Sequence, residues 1–134
     1  MKKLLYLFIL FPLLSFSQLD LGKTKSQIKA KHSVAPCMQE DRTLMFCVSN
    51  GDMIGYVFTN NRCISIQFWT AYSSKYKADI ELEKAINSFA RENNGTPMRR
   101  GGITSFTEGN GAGVTFSVMK YNNTDYVTQI FQAY

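Results

Sequence analysis

Three stretches in the first half of the chain, 43–49, 53–59 and 62–70, are apolar, aromatic and β-branched runs bounded by turn residues, the length and composition of strands. In an extended chain successive side chains go to opposite faces, so the spacing within each is two. Asn50-Gly51 separates the first pair and Asn60-Asn61 the second, residue types that tolerate the positive φ of tight hairpins. Beyond Ser73-Ser74 the spacing lengthens. Leu82, Ala85, Ile86, Phe89 and Ala90 recur on one helical face, with Glu81, Glu83, Lys84, Asn87, Ser88 and Arg91 beside or opposite them. Asn94-Gly95, with Pro97 just beyond, stops this helix near residue 93. Thr24 and Gln27, at capping-box spacing, start a shorter helix over 25–32 that presents Ile28 and ends before Pro36. Strands at 103–108, at 114–121 and from 124 to the C-terminus complete the pattern.

The order is helix, three strands, helix, three strands. It predicts an α+β fold of two layers, with the helices packed on one face of an antiparallel sheet. Asn60-Asn61-Arg62-Cys63-Ile64-Ser65-Ile66-Gln67-Phe68 parallels Asn122-Asn123-Thr124-Asp125-Tyr126-Val127-Thr128-Gln129-Ile130. A duplicated helix-plus-three-strand unit, 18–71 and 72–134, is therefore one arrangement open to a single domain spanning 18–134.

Two-residue turns would fix the register of the first three strands. Val48 then faces Met53 and Phe68, Phe46 faces Gly55 and Ile66, and Leu44 faces Val57 and Ile64. All but Gly55 are apolar, so this face is the expected core side. The other face carries Met45, Cys47, Ile54, Tyr56, Phe58, Cys63, Ser65, Gln67 and Trp69, too apolar for an ordinary solvated face. Either loops or a second layer cover it, or a partner meets it. Met45, Ile54, Tyr56, Phe58 and Trp69 are the candidate binding surface on the second alternative.

The same register separates Cys47 from Cys63 by roughly 13 Å along the strands and 9–10 Å across them. A disulfide needs Cα atoms roughly 4.4–6.8 Å apart, so those two are not expected to bond. Cys37, before the first strand, is expected to pair with Cys63, with Cys47 as the alternative.

The extreme N-terminus sets the compartment. Met1-Lys2-Lys3, an apolar run over 4–14 and Ser15-Phe16-Ser17 have the form of a secretory signal peptide over 1–17. The run is shorter than the roughly 20 residues a membrane helix needs, and no cysteine marks a lipid anchor. The mature protein is therefore expected to be exported, periplasmic or extracellular and soluble, without a transmembrane segment. Two units of the net charge of +5 come from Lys2 and Lys3. The remainder is weakly basic and has no dense patch of the kind nucleic-acid binding requires.

Catalytic chemistry finds little support in the residue pattern. His32 lies five residues before Cys37, but nothing identifiable orients it as a base and an oxidising compartment favours a disulfide. His32 with the three cysteines lacks the paired spacing of zinc sites. Gly109-Asn110-Gly111-Ala112-Gly113 lies between strands, whereas phosphate loops precede a helix. Arg99-Arg100-Gly101-Gly102 reads as loop, and Asp79, Glu81, Glu83 and Glu92 as solvated helix carboxylates, while Glu108 has no partner acid. No catalytic residue, metal ligand or cofactor is assigned.

Leu21-Gly22-Lys23-Thr24-Lys25-Ser26-Gln27-Ile28 is similar to the Gly-x-Thr helix start of certain small α+β modules. In architecture the chain resembles secreted β-lactamase-inhibitor proteins and small outer-membrane assembly lipoproteins. The resemblance implies no functional residue; it suggests that the open face of the sheet is where a partner binds. The expected function is a small secreted, non-enzymatic binding module whose aromatic sheet face meets a protein partner. A structural envelope homodimer with that face buried is the alternative, and a small secreted hydrolase ranks below both.

Overall fold

The computed structural model describes residues 20–107 and 113–133. The expected signal peptide over 1–17 lies outside these residues, as do Glu108 and the glycine turn up to Ala112. Helix α1 spans Lys25–Lys31 and is followed by strands β1 (Met38–Glu40), β2 (Thr43–Cys47), β3 (Met53–Thr59) and β4 (Arg62–Tyr72). Helix α2 spans Lys75–Asn93, followed by β5 (Met98–Arg100), β6 (Ile103–Thr107), β7 (Gly113–Tyr121) and β8 (Thr124–Gln132).

Local chemistry sets the ends of the helices. Thr24 caps α1 by accepting from the Gln27 backbone N–H, and the Gln27 side chain reaches back to the Thr24 N–H, a complete capping box. Ser74 caps α2, and Asn94 ends it in the left-handed region at φ 50°. Asn60 and Asn61 (φ 51° and 57°) and Asn122 and Asn123 (φ 48° and 61°) form the tight turns joining β3 to β4 and β7 to β8. Both central residues at positive φ is the requirement of a type I′ hairpin.

The strands form one antiparallel sheet of eight in the order β1-β2-β3-β4-β8-β7-β6-β5. The expected two-layer α+β fold with helix-plus-three-strand units is overturned by this architecture. The described chain is mostly sheet, one continuous eight-stranded array with two helices, and each half supplies four strands. Two features account for the difference. β4 and β8 pair from Ser65 opposite Gln132 to Tyr72 opposite Asp125 and so fuse both halves. At each edge a three-residue strand, β1 or β5, folds back through a two-residue turn; strands so short carry no readable alternation. Arg99 of β5 anchors its edge by a bidentate ion pair to Glu83 of α2, at 2.7 and 2.9 Å.

The register at the first hairpin also departs from expectation. Val48 N donates to Asp52 O at 2.9 Å, so the turn contains three residues, Ser49–Gly51, with Asn50 at φ 65° and Gly51 at φ 81°. Cys47 therefore pairs with Met53, Phe46 with Ile54, and Leu44 with Tyr56. A slip of one residue exchanges the two faces of a strand. Asp52 holds the longer turn in place: its buried side chain accepts from Ala71 N on β4 at 2.8 Å.

On the core side Leu44, Phe46, Tyr56, Phe58, Ile66 and Phe68 join Ile28 of α1, Ala85, Ile86 and Phe89 of α2, and Phe106, Val114, Phe116, Val127 and Phe131 in one apolar cluster. This register buries Tyr56 and Phe58 there and packs the partly buried Ile54 against them, where the two-residue turn would have placed Met53, Gly55 and Val57. Gln129 is fully buried on the same side, opposite Phe68 and Phe116, and its amide has no partner among the described residues.

The disulfide joins Cys37 to Cys47, with Cα atoms 5.8 Å apart. It replaces the expected Cys37–Cys63 bond, for a geometric reason. Met38 pairs with Met45, which brings the residue before β1 alongside the end of β2. Between Val57 and Phe58 the β3–β4 register shifts, leaving Ile64 as an extra residue that turns Cys63 toward the core. Cys63 is a free thiol, and burial pushes it up to about 11. Peptide mapping without reduction is expected to show Cys37 joined to Cys47 and Cys63 alkylated only after denaturation; a Cys37–Cys63 peptide would refute the register. Replacing Cys37 and Cys47 together by serine should lower stability by about 2–3 kcal/mol in chemical denaturation.

Candidate functional site

The second face of the sheet carries a groove built by the revised register. Met38 on β1 lies opposite Met45 on β2, and Met45 opposite Gly55 on β3. A Cβ at residue 55 would stand 3.1 Å from the Met45 sulfur, so the glycine leaves room for that side chain. One row further, Cys47 faces Met53, which faces Trp69 on β4. Ala71 then faces Tyr126 on β8, and Tyr121 closes the row's far side from β7. The cavity so enclosed measures about 360 Å³, with Gly51, Asn122 and the Cys37–Cys47 disulfide completing its lining. Among the described lining residues none is Asp, Glu, His, Lys or Arg.

Trp69 organises the aromatic end. Its Nε1–H donates to Gln67 Oε1 at 3.1 Å, which holds the indole. Its ring meets Tyr126 at a centroid distance of 5.6 Å and Tyr121 at 6.4 Å, each with an interplanar angle of 72°. Met45, Met53 and Tyr126 are buried, with Met38, Trp69 and Ala71 packed partly buried against them. Such a site offers dispersion, thioether polarizability and π faces, with the Tyr121 and Tyr126 hydroxyls and the Asn122 amide as polar groups among the described lining.

Of the five residues predicted to form a binding surface, Met45 and Trp69 are in this groove. The other three are corrected to the core side: Tyr56 and Phe58 are 3% and 2% exposed, and Ile54 packs on the same cluster. The sequence reading missed Met38, Met53, Tyr121 and Tyr126. Adding Ser49 to the turn would have moved Met53 to the right face; Tyr121 and Tyr126 needed the β4–β8 pairing, which no local pattern encodes.

A second cavity, about 440 Å³, lies beside Lys25, Arg42 and the Asn60-Asn61 turn. It is the larger one, but its cations are committed to structure. Lys25 Nζ donates to the carbonyls of Glu40 and Asp41 at 3.0 and 2.6 Å, and Arg42 binds Phe58 O and Thr59 Oγ1. We therefore take the smaller groove as the candidate site.

Tyr56 has a different role from the one its sequence position suggested. Its hydroxyl donates to Asp20 Oδ2 at 3.4 Å and lies 3.0 Å from His32 Nε2, while the His32 ring stacks on Phe46 at 3.8 Å. Lys23 and Lys31 both pair with Asp20. Burial alone would raise the Asp20 carboxyl, but the hydrogen bonds from Lys23 and Lys31 outweigh it and hold the group below the usual range. Burial, then the charge of Lys31, lowers His32, and burial with the Asp20 charge raises Tyr56. This cluster ties the segment around α1 to β3. Cys37, proposed from sequence as a nucleophile for His32 and rejected, is occupied by its disulfide. No group of three or more His, Cys, Asp or Glu among the described residues could hold a metal ion.

The cluster predicts a pH dependence of stability. The folded protein takes up the His32 proton less readily than the unfolded chain, whose ordinary value is 6.5. The His32 contribution is thus full above that value and is lost as the pH falls below it toward the lowered folded value. Asp20, lowered from 3.8, contributes stability that is lost only below that pH. Asp52, raised chiefly by burial, acts in the opposite sense, its contribution falling as the pH rises above 3.8. Urea denaturation should show that His32→Gln removes the loss beginning near pH 6.5 and leaves the acidic limb unchanged. An identical profile in the variant would disprove the assignment.

No protein family, curated protein or solved structure matches the chain.

Proposed function

We propose that the protein is an exported, non-enzymatic binding module that holds an apolar or aromatic group in the groove around Trp69. The observation that carries this reading is the lining itself: thioethers, aromatic rings and a disulfide around a cavity of about 360 Å³, without a charged side chain among the described residues. Pockets of roughly 300–1,000 Å³ with mostly apolar walls are the usual dimensions of small-ligand sites. Methionine suits such walls because its unbranched side chain adapts to the shape it meets.

Export rests on the N-terminal sequence pattern, and the disulfide is consistent with it, since such bonds persist in oxidising compartments. No described helix is long and apolar enough to cross a membrane.

The protein contains a single tryptophan, so Trp69 reports on its own groove. N-phenyl-1-naphthylamine, a neutral apolar dye, should bind saturably at one site with energy transfer from Trp69. Tyr121→Ala, at an exposed groove wall, should weaken that binding about fivefold or more, given roughly 1 kcal/mol for one lost aromatic contact. Tyr76→Ala, on an exposed helical residue away from the groove, should leave it unchanged. Equal effects of both variants, or no saturable binding, would remove this reading.

One further observation favours a homodimer through the same face. Of the seven exposed large apolar residues among the described residues, four, Met98, Ile103, Met119 and Tyr121, lie on it by strand register. Sedimentation should then show a concentration-dependent dimer that Met119→Glu dissociates. A wild-type protein that stays monomeric at its highest soluble concentration eliminates the dimer and leaves the groove reading intact.

A further inference from the structure

The geometry points to a ligand class for the groove: an organic cation whose charge is spread over methyl groups, such as a quaternary ammonium. This inference rests on the binding reading above and adds the chemistry of the ligand.

Trp69 stands at 72° to both Tyr121 and Tyr126, with centroids 6.4 and 5.6 Å away. Both pairs meet edge to face, which gathers the three rings on one wall of the groove, and a cation is attracted to a ring face within about 6 Å of its centroid. Tryptophan is the strongest of the aromatic side chains in this interaction, and here its indole is held by Gln67. The opposite walls are the side chains of Met38, Met45 and Met53, polarizable groups without a hydrogen-bond donor to satisfy.

Charge and hydrogen bonding then narrow the class. No described lysine or arginine lines the groove, so no cation there repels another. No described carboxylate or imidazole lines it either, so a primary ammonium would lose its water and gain too few acceptors. A quaternary ammonium has no N–H to satisfy and is weakly hydrated. It meets the rings and thioethers through methyl groups, and the cavity of about 360 Å³ admits such a head with a short tail. An anionic ligand would face the negative faces of the rings with no compensating cation among the described lining.

The test compares choline with 3,3-dimethylbutan-1-ol, its neutral isostere, and with ethanolamine, which keeps a charge but exposes N–H groups. Binding is followed by Trp69 emission and by calorimetry on the purified protein. Choline is expected to bind saturably and about tenfold more tightly than the neutral alcohol, with ethanolamine weaker than choline by a similar factor. Tyr121→Leu, which removes one ring from an exposed position and keeps its bulk, should weaken choline about fivefold and the neutral alcohol less than twofold. Circular dichroism of that variant confirms that it is folded. If the neutral alcohol binds as tightly as choline, the groove is only apolar and this inference falls while the binding reading stands. If choline fails to bind a protein that still takes up N-phenyl-1-naphthylamine, the inference falls in the same way. Failure of every probe, the naphthalene dye included, removes both.

Discussion

The turn Ser49–Gly51 determines which side of β3 becomes core. With Asn50 and Gly51 in the left-handed region, Val48 closes on Asp52 and the strand beyond is displaced by one residue from the two-residue alternative. The Asp52 carboxylate then takes the Ala71 amide of β4, so turn and sheet support one register. From this follows the burial of Tyr56 and Phe58 beneath α1. The bulge at Ile64 then pairs Met53 with Trp69, and the β1–β2 pairing brings Cys37 to Cys47.

The β4–β8 pair is the second organising element, because it makes one sheet from two four-stranded meanders. It brings Tyr126 next to Ala71 and, through β7, Tyr121 within reach of Trp69. The candidate site thus draws on both halves of the chain, and neither half alone contains its three rings. The junction also leaves a polar imperfection, the amide of Gln129 between Phe68 and Phe116, which has no partner among the described residues. A buried amide without partners costs stability, and the core around it must offset that cost.

Much of the local structure was legible. The capping box at Thr24 and Gln27, the stop at Asn94 and the turns at Asn60-Asn61 and Asn122-Asn123 each depend on a few adjacent residues, and each formed as read. The edge strands β1 and β5 were not legible, because three residues, one Met and two polar in each, are too few to show an alternation and their order depends on neighbours. The site was half legible. Met45 and Trp69 belong to strands whose faces were assigned correctly, while Ile54, Tyr56 and Phe58 lie on β3, whose face depends on whether Ser49 belongs to the turn. Asn-Gly fits both turn lengths, so local propensity could not decide it.

Periodicity in the sequence determined where the long strands and both helices form, since those choices rest on backbone and side-chain preferences within a few residues. It also placed a cysteine-bearing, aromatic-rich second face somewhere on the sheet. Only the tertiary structure decided which aromatics occupy that face, which cysteine meets Cys37, and that eight strands share one sheet. These outcomes depend on contacts between distant residues, such as Asp52 with Ala71 and Trp69 with Tyr126, where a displacement of one residue reverses the face that a side chain occupies.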